Sequence, residues 1–341
     1  MDERLSLERE PKGTEKARLL ITVVFGAVGL FVSILHAKPE RWAILSGLND
    51  FPQLYFGPKL LASHELYRFS SMHALQLKTL GYANDHIQYV RLPYYAVLLW
   101  PLSLLPFKVA YAVWQVCSLG ALIGFVRLWS ANRALAFGIC CWFPPVLVNF
   151  GSGQDVTFLL LWAALSTVLF QRGSPFWAGV VLALCAAKFH LLLFLPVMIV
   201  ARRLWKVGAG LAAGSAVLLA ISFISCGWDW PILWYRTISD PIISPVMHFS
   251  PLGLLSKSLG HSSFVVAGAC LIIGIASVVW FCTRNSDFRL ALSVALAVGP
   301  ICAYHNYTQD YLLVLPLLLI GIDKLVEPNR IRNPKAANVP V

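Results

Sequence analysis

From residue 19 onward the chain is a succession of apolar runs with hardly a charge inside them, and this excludes most ways of folding. The runs cover Leu19 to about His36, then about 92–105, 108–126, 134–149, 156–170, 175–200, 207–225, 263–282, 288–303 and 311–322. Several approach the ~20 residues that an α-helix needs to cross a bilayer. Backbone polar groups in lipid must be satisfied within the segment, so such runs cross as helices. Only 13% of the 341 residues are charged and mean hydropathy is +0.70, against roughly 25% charged in a soluble domain. The expectation is an all-α polytopic integral membrane protein of about 10–12 transmembrane helices. No polar stretch is long enough for a separate soluble domain, so residues 19–326 read as one membrane unit between polar cytosolic tails at 1–18 and 327–341.

The net charge of +11 does not indicate nucleic acid, because the Lys and Arg residues fall between apolar runs rather than on one face. That is the positive-inside pattern of a membrane protein. Lys16 and Arg18 precede the first run, which puts its N-terminal end inside and segment 38–91 outside. Arg202-Arg203…Lys206, Arg284…Arg289 and Arg330…Arg332 then fall inside, but Arg127 and Arg133 fall outside. A second count treats 175–200 as two short helices meeting at Lys188, with adjustment around 92–128. The two counts leave open which side Gly151-Ser152-Gly153-Gln154-Asp155 faces. The mixed charge of residues 1–18 and the lack of an A-x-A site argue against a cleavable signal.

Two long loops stand out, 38–91 and 227–262. In the first, Phe51 to Leu61 and Ser71 to Tyr82 read as amphipathic and are expected along the interface plane. The second is rich in Trp, Pro and His and is expected as irregular backbone at the surface or lining a cavity. The eight cysteines lie in or near apolar runs without a Cys-x-x-Cys, so they read as small hydrophobes.

Polar residues at membrane depth are costly, so each is a candidate site. Asp50 follows the first run; a carboxylate there can take a proton from an attacking hydroxyl, or else cap the helix starting at Phe51. Lys188 and His190 interrupt the run Phe176–Val200. Either Lys188 snorkels to the interface, or the pair holds a lipid phosphate and stabilises the anion that leaves. Gln154 and Asp155 follow Pro144-Pro145 and Gly151-x-Gly153; they line a cavity or form an ordinary turn with Asp155 as N-cap. His305 belongs to the donor region or to an interfacial aromatic belt. Arg236 and His248 are further candidates in the second loop. No nucleophile elbow, His-Glu-x-x-His or phosphate loop occurs. The absence of Asp-x-Asp argues against a sugar-nucleotide donor.

An ordered series of residues carries a family likeness. It begins with Asp50-Phe51…Tyr55…Leu66-Tyr67 and Gly153-Gln154. It continues through Trp177-Ala178-Gly179…Ala187-Lys188…Leu195-Pro196…Ala201-Arg202-Arg203-Leu204-Trp205 to Tyr304-His305-Asn306-Tyr307…Leu313…Pro316. The series resembles the bacterial polytopic glycosyltransferases of family 87, which share the GT-C architecture. The resemblance implies a polyprenyl-phosphate-linked sugar as donor, a lipid or glycan acceptor, and inverting transfer at the outer face of the cytoplasmic membrane. It also implies Asp50 as general base, with Lys188, His190, His305 and Gln154 lining the lipid-phosphate and donor region. Tyr55, Tyr67, Arg236 and His248 are left as acceptor or loop contacts. No metal or other cofactor is expected, since a lipid monophosphate carries a single phosphate to neutralise. Where the family has Asn-Gln-Ser in the second loop this chain has Met247-His248-Phe249-Ser250, so sugar and acceptor stay open. A lipid-linked-sugar flippase or other transporter is the alternative function.

Overall fold

A computed structural model describes Leu20 and residues 22–32, 45–240, 263–303 and 306–326. Both tails, most of the second loop, His248 and His305 lie outside the described residues. Within them the structure is helical and contains no strand. In chain order the helices are α1 (Thr22–Val32), α2 (Phe51–Leu61), α3 (Phe69–Leu80), α4 (Pro93–Leu98), α5 (Trp100–Ser103), α6 (Phe107–Trp129), α7 (Arg133–Trp142), α8 (Pro144–Ser152) and α9 (Val156–Gln171). There follow α10 (Pro175–Ala183), a 3-10 stretch (Leu184–Leu192), α11 (Phe194–Ala201), α12 (Trp205–Cys226), α13 (Trp230–Ile238) and α14 (Ser263–Arg284). The chain closes with α15 (Phe288–Cys302), a second 3-10 stretch (Thr308–Val314) and α16 (Leu315–Val326).

Among the described residues 4 helical stretches are long and apolar enough to cross a membrane: α6, Pro175–Leu192, α12 and α14. The remaining apolar runs are short, bent or broken, and proline explains where. Run 92–105 splits into α4 and α5 at Leu99 (φ −88°, ψ 0°), two residues before Pro101, whose ring removes a helical N–H. Run 134–149 bends by 69° between α7 and α8. Phe143 there adopts φ −86°, ψ 106°, the extended backbone imposed on a residue that precedes proline.

Because 92–105 does not cross as one helix, α6 runs from the Asp50 end of the bundle to the opposite end, and this corrects the placement of Arg127 and Arg133. Phe107 packs its ring 5.5 Å from Phe51, while the other end of α6 meets the start of α15 and the end of α16. There Arg289 lies over the Trp129 ring, and Asp323 accepts from Ser130 at 2.9 Å. Arg202 donates to the Ser286 carbonyl, and Phe170 stacks on Phe288 at the same end. Arg127, Arg133, Arg172, Arg202, Arg284 and Arg289 therefore gather at one end, as the positive-inside rule asks.

Segment 175–201 follows the second count. It enters from the basic end, breaks at Lys188 (φ −130°, ψ 54°) and returns through α11. Its first arm lies directly on α12: a Cβ on Gly179 would sit 2.0 Å from the Val207 carbonyl oxygen, and one on Gly210 would sit 1.9 Å from that of Phe176. Small residues permit this backbone contact, which drives helix association where lipid offers no hydrophobic effect.

The α2 helix corrects the amphipathic reading of 51–61. Apart from Lys59 all of it is buried, seated in an aromatic cluster with Phe107, Tyr111 and Trp114. Ring area of this kind dominates core energetics, and it holds the N-terminus of α2, with Asp50 in front of it, against α6. By contrast α3 buries only Met72 and Gln76, one turn apart, and keeps a polar face.

Candidate active site

The site begins with a docking of two loops. The Asn49 side chain donates to the Gly151 carbonyl at 2.6 Å, and the Asp50 amide donates to the Ser152 carbonyl at 3.1 Å. Gly153 has φ +66° and lies so close to α2 that an added Cβ would come 2.9 Å from the Phe51 Cβ; only glycine takes that backbone and that space without strain. Trp114 Nε1 secures the turn from α6, donating to the Gly153 carbonyl at 2.9 Å. The 151–155 turn therefore shares the end of the bundle that holds Asp50.

Neither carboxylate in this region caps its helix. Asp50 and Asp155 occupy the N-cap positions of α2 and α9, yet neither side chain accepts a cap bond. Asn149 Oδ1 takes the Val156 amide instead. Asp50 is free for another partner: its Oδ2 accepts from Gln154 Nε2 at 2.7 Å. Gln154 Oε1 accepts from Arg91 Nη2 at 3.1 Å, and Arg91 forks onto Asp155 at 3.0 and 3.1 Å. Asp155 is 0% exposed and also lies 3.8 Å from Lys188 Nζ, which is 2.6 Å from Asp310 Oδ1. The chain of contacts ends where Asp310 Oδ2 accepts the Tyr307 amide. Side chains from the first loop, the α8–α9 turn, the break at 188 and the last 3-10 stretch thus form one continuous polar network, in which buried charges are paired rather than stranded.

This network floors a cavity of about 550 Å³, lined by Asp50, Arg91, Gln154, Lys188, His190 and Asp310 among others. Apolar side chains also line it, among them Phe189, Leu193, Trp234, Ile238 and Leu271. Burial pushes the Asp50 carboxyl above the ordinary carboxylate range, while the Gln154 donor, Lys188 and Arg91 pull it back down and Asp310 adds to the rise. Among the described residues no group of three or more His, Cys, Asp or Glu side chains is placed to hold a metal ion.

Of the residues singled out in the sequence, Asp50, Gln154, Lys188 and His190 meet in this cavity. Tyr55, Tyr67 and Arg236 do not line it. The Tyr55 hydroxyl donates to the Leu105 carbonyl and that of Tyr67 to the Arg91 carbonyl, each at 2.7 Å. Tyr67 therefore braces the segment of the loop that carries Arg91; burial pushes its phenol well up and keeps it a donor. Arg236 is exposed, on a different side of α13 from the lining residues Trp234 and Ile238. Neither Arg91, the last residue of the first loop, nor Asp310 is singled out by the sequence. The signal for Asp310 was Lys188 itself, since a cation buried at membrane depth implies an acidic partner elsewhere in the chain.

Helices with broken segments folded around a charged, half-apolar cavity define a polytopic all-α membrane protein with an embedded polar site. The chain belongs to glycosyltransferase family 87, whose profile matches residues 92–302. Gln154, Asp155, Lys188 and His190 fall inside that stretch; Asp50, Arg91 and Asp310 join it through tertiary contacts. Among similar proteins is the polyprenol-phosphate-mannose-dependent alpha-(1-2)-phosphatidylinositol pentamannoside mannosyltransferase of Mycolicibacterium smegmatis. It is 26% identical over 254 residues, covering 67% of this chain and 59% of that protein. The protein of the same name from Mycobacterium tuberculosis is 25% identical over 258 residues, covering 68% and 57%. The chain thus spans under two thirds of the length of either relative. No solved structure matches it.

Proposed function

We propose that this protein transfers a sugar from a polyprenyl-phosphate donor to a hydroxyl of a lipid or glycan acceptor, with Asp50 as general base. The observation that carries the reading is the sharing of one cavity by the Asp50 carboxylate and the buried Lys188, with apolar side chains making up much of the remaining wall. A soluble sugar would not need that wall, whereas a lipid-linked donor does. The names of the two relatives, both polyprenol-phosphate-mannose-dependent, point the same way. The gathering of arginines at the far end of the bundle supports a cytoplasmic location for that end. The cavity then opens at the outer face of the cytoplasmic membrane.

In the proposed step, the acceptor oxygen attacks the anomeric carbon as its proton passes to the Asp50 carboxylate. The bond from that carbon to the phosphate oxygen breaks, and polyprenyl phosphate leaves with the electron pair. A single displacement inverts the anomeric centre. An ammonium carries three N–H donors; Lys188 directs one to Asp310 and has Asp155 nearby, and another is assigned to the departing phosphate. His190, on the cavity lining, and His305, placed by the sequence series alone, are assigned to the same region.

The test is transfer by the purified protein in lipid, with radiolabelled polyprenyl-phosphate-mannose and a crude lipid acceptor pool, wild type beside Asp50→Asn. Label moving to a new product with wild type only is the expected result. A fully active Asp50→Asn enzyme would remove Asp50 from its role. Failure of every lipid-linked sugar to react or bind would favour a transporter.

A further inference from the structure

The geometry points to Gln154 as a positioning residue that aims and poises the Asp50 carboxylate, held in its own orientation by the Arg91–Asp155 pair. This rests on the reading of Asp50 as base, and it moves Gln154 away from the lipid phosphate.

The argument is one of donors and acceptors. A carboxamide can be turned either way, and its partners decide which. Arg91 can only donate, and its Nη2 lies 3.1 Å from the Gln154 oxygen. That fixes Oε1 toward Arg91 and leaves Nε2 facing Asp50 Oδ2 at 2.7 Å. The opposite orientation would set N–H against guanidinium and oxygen against carboxylate. Arg91 is itself immobilised by two bonds to the fully buried Asp155 and by the Tyr67 hydroxyl on its carbonyl. Behind Gln154 the turn is pinned by Trp114 and Asn49. The amide is thus a fixed N–H aimed at one oxygen of Asp50. No other side chain among the described residues donates to Asp50, and its second oxygen is left for the cavity and the acceptor hydroxyl.

A donor to the ionised form also opposes the desolvation that protonates a buried carboxyl. The other charged or titratable groups around Asp50 are Arg91 on the first loop, Asp155 on the α8–α9 turn, Lys188 and His190 on the broken segment, Asp310 on the last 3-10 stretch with Tyr307 just before it, and His86 on the cavity lining. All but Gln154 stay in place in a Gln154 variant.

The test uses the full-length protein in lipid nanodiscs, comparing wild type, Gln154→Leu and Gln154→Glu. Gln154→Leu removes the N–H without adding charge, whereas Gln154→Glu keeps the shape and the acceptor for Arg91 but replaces the N–H by a carboxyl beside Asp50. The Asp50 carboxyl is titrated by infrared difference spectroscopy, its band assigned against Asp50→Asn. Transfer of radiolabelled mannose from the polyprenyl-phosphate donor is measured across pH. Gln154→Leu is expected to titrate upward by about one unit, the scale of one lost hydrogen bond to a charged group, and Gln154→Glu by more, because its carboxyl adds a like charge beside Asp50. At neutral pH kcat should fall about 10- to 100-fold, within the range general-base catalysis contributes, with partial recovery at alkaline pH. KM for the donor should stay within about threefold, since the phosphate contact is untouched. A titration unmoved in both variants would overturn the proposal while leaving Asp50 as base. So would a donor KM raised tenfold with kcat intact, which would return Gln154 to the phosphate. Wild-type transfer by Asp50→Asn would instead remove the base and this role with it. The infrared arm reads the hydrogen bond whichever sugar the enzyme uses.

Discussion

Lys188 Nζ lies 2.6 Å from Asp310 Oδ1, joining two residues 122 positions apart, and both side chains are almost wholly buried. Each is thereby the condition for the other. Lys188→Met would leave Asp310, among the described residues, with the Tyr307 amide as its hydrogen-bond donor, and a stranded buried charge of this kind costs about 3–5 kcal/mol. The double variant Lys188→Met with Asp310→Asn removes both charges and should regain most of that stability, but not transfer. Thermal unfolding in detergent and the transfer assay, run on both variants, read the two effects separately. Equal instability of the single and double variants would show that the pair is not the source.

Asp50 carries opposite signs for activity and stability. Its carboxyl is raised by burial, so the base form, and activity with it, should be lost as pH falls through a midpoint above the ordinary carboxylate range. For stability, a raised folded pKa means that ionisation penalises the folded state. The penalty is absent below the unfolded pKa and grows until pH passes the folded one. Asp50→Asn should therefore be inactive, yet at neutral pH no less stable than wild type. A loss of stability at neutral pH would mean that the carboxylate is structural.

Gly153→Ala should impair both fold and site. An L-residue at φ +66° costs about 1–2 kcal/mol, and the new methyl would meet the Phe51 Cβ at 2.9 Å. The turn has to shift, taking Gln154 and Asp155 with it. Transfer is expected to fall at least tenfold, the loss that a sub-ångström misplacement of a catalytic group brings. An unchanged pH profile and rate would show that the turn relaxes without moving Gln154.

Gly299→Ala tests the support of Lys188 from behind. A Cβ there would stand 1.8 Å from the Leu191 carbonyl oxygen, a backbone atom that cannot rotate away. Overpacking of this kind costs about 1–3 kcal/mol. Because Leu191 lies on the broken segment with Lys188, donor affinity should drop along with the melting temperature. A lower melting temperature with intact affinity would detach the segment's packing from the site.

The polar residues of the site differ in how far local sequence announces them. Asp50, Lys188 and Gln154 are conspicuous because each interrupts or borders an apolar run, where a polar group is costly. Asp310 borders the last run in the same way but sits beside an aromatic motif that reads equally well as an interfacial belt. Arg91 was hidden among other loop charges. Tyr55 and Tyr67 share the residue types of a contact site, but their hydroxyls serve the backbones of Leu105 and Arg91. Composition cannot separate a substrate contact from a brace.

The apolar runs by themselves determined that the chain is a helical, polytopic membrane protein, because hydrocarbon admits no other backbone for such segments. The scarcity of charge within those runs reduced the candidate site to a handful of residues. Which loops dock was decided only in three dimensions. So was the joining of Asp50 to Gln154, of Arg91 to Asp155 and of Lys188 to Asp310, as was the side of the bundle taken by Arg127 and Arg133. Hydropathy reports the environment of each segment, whereas pairing depends on contacts between segments about a hundred residues apart, such as Asp50 and Gln154. Periodicity carries no record of such contacts, and the broken helices at Leu99, Phe143 and Lys188 set the register in which they form.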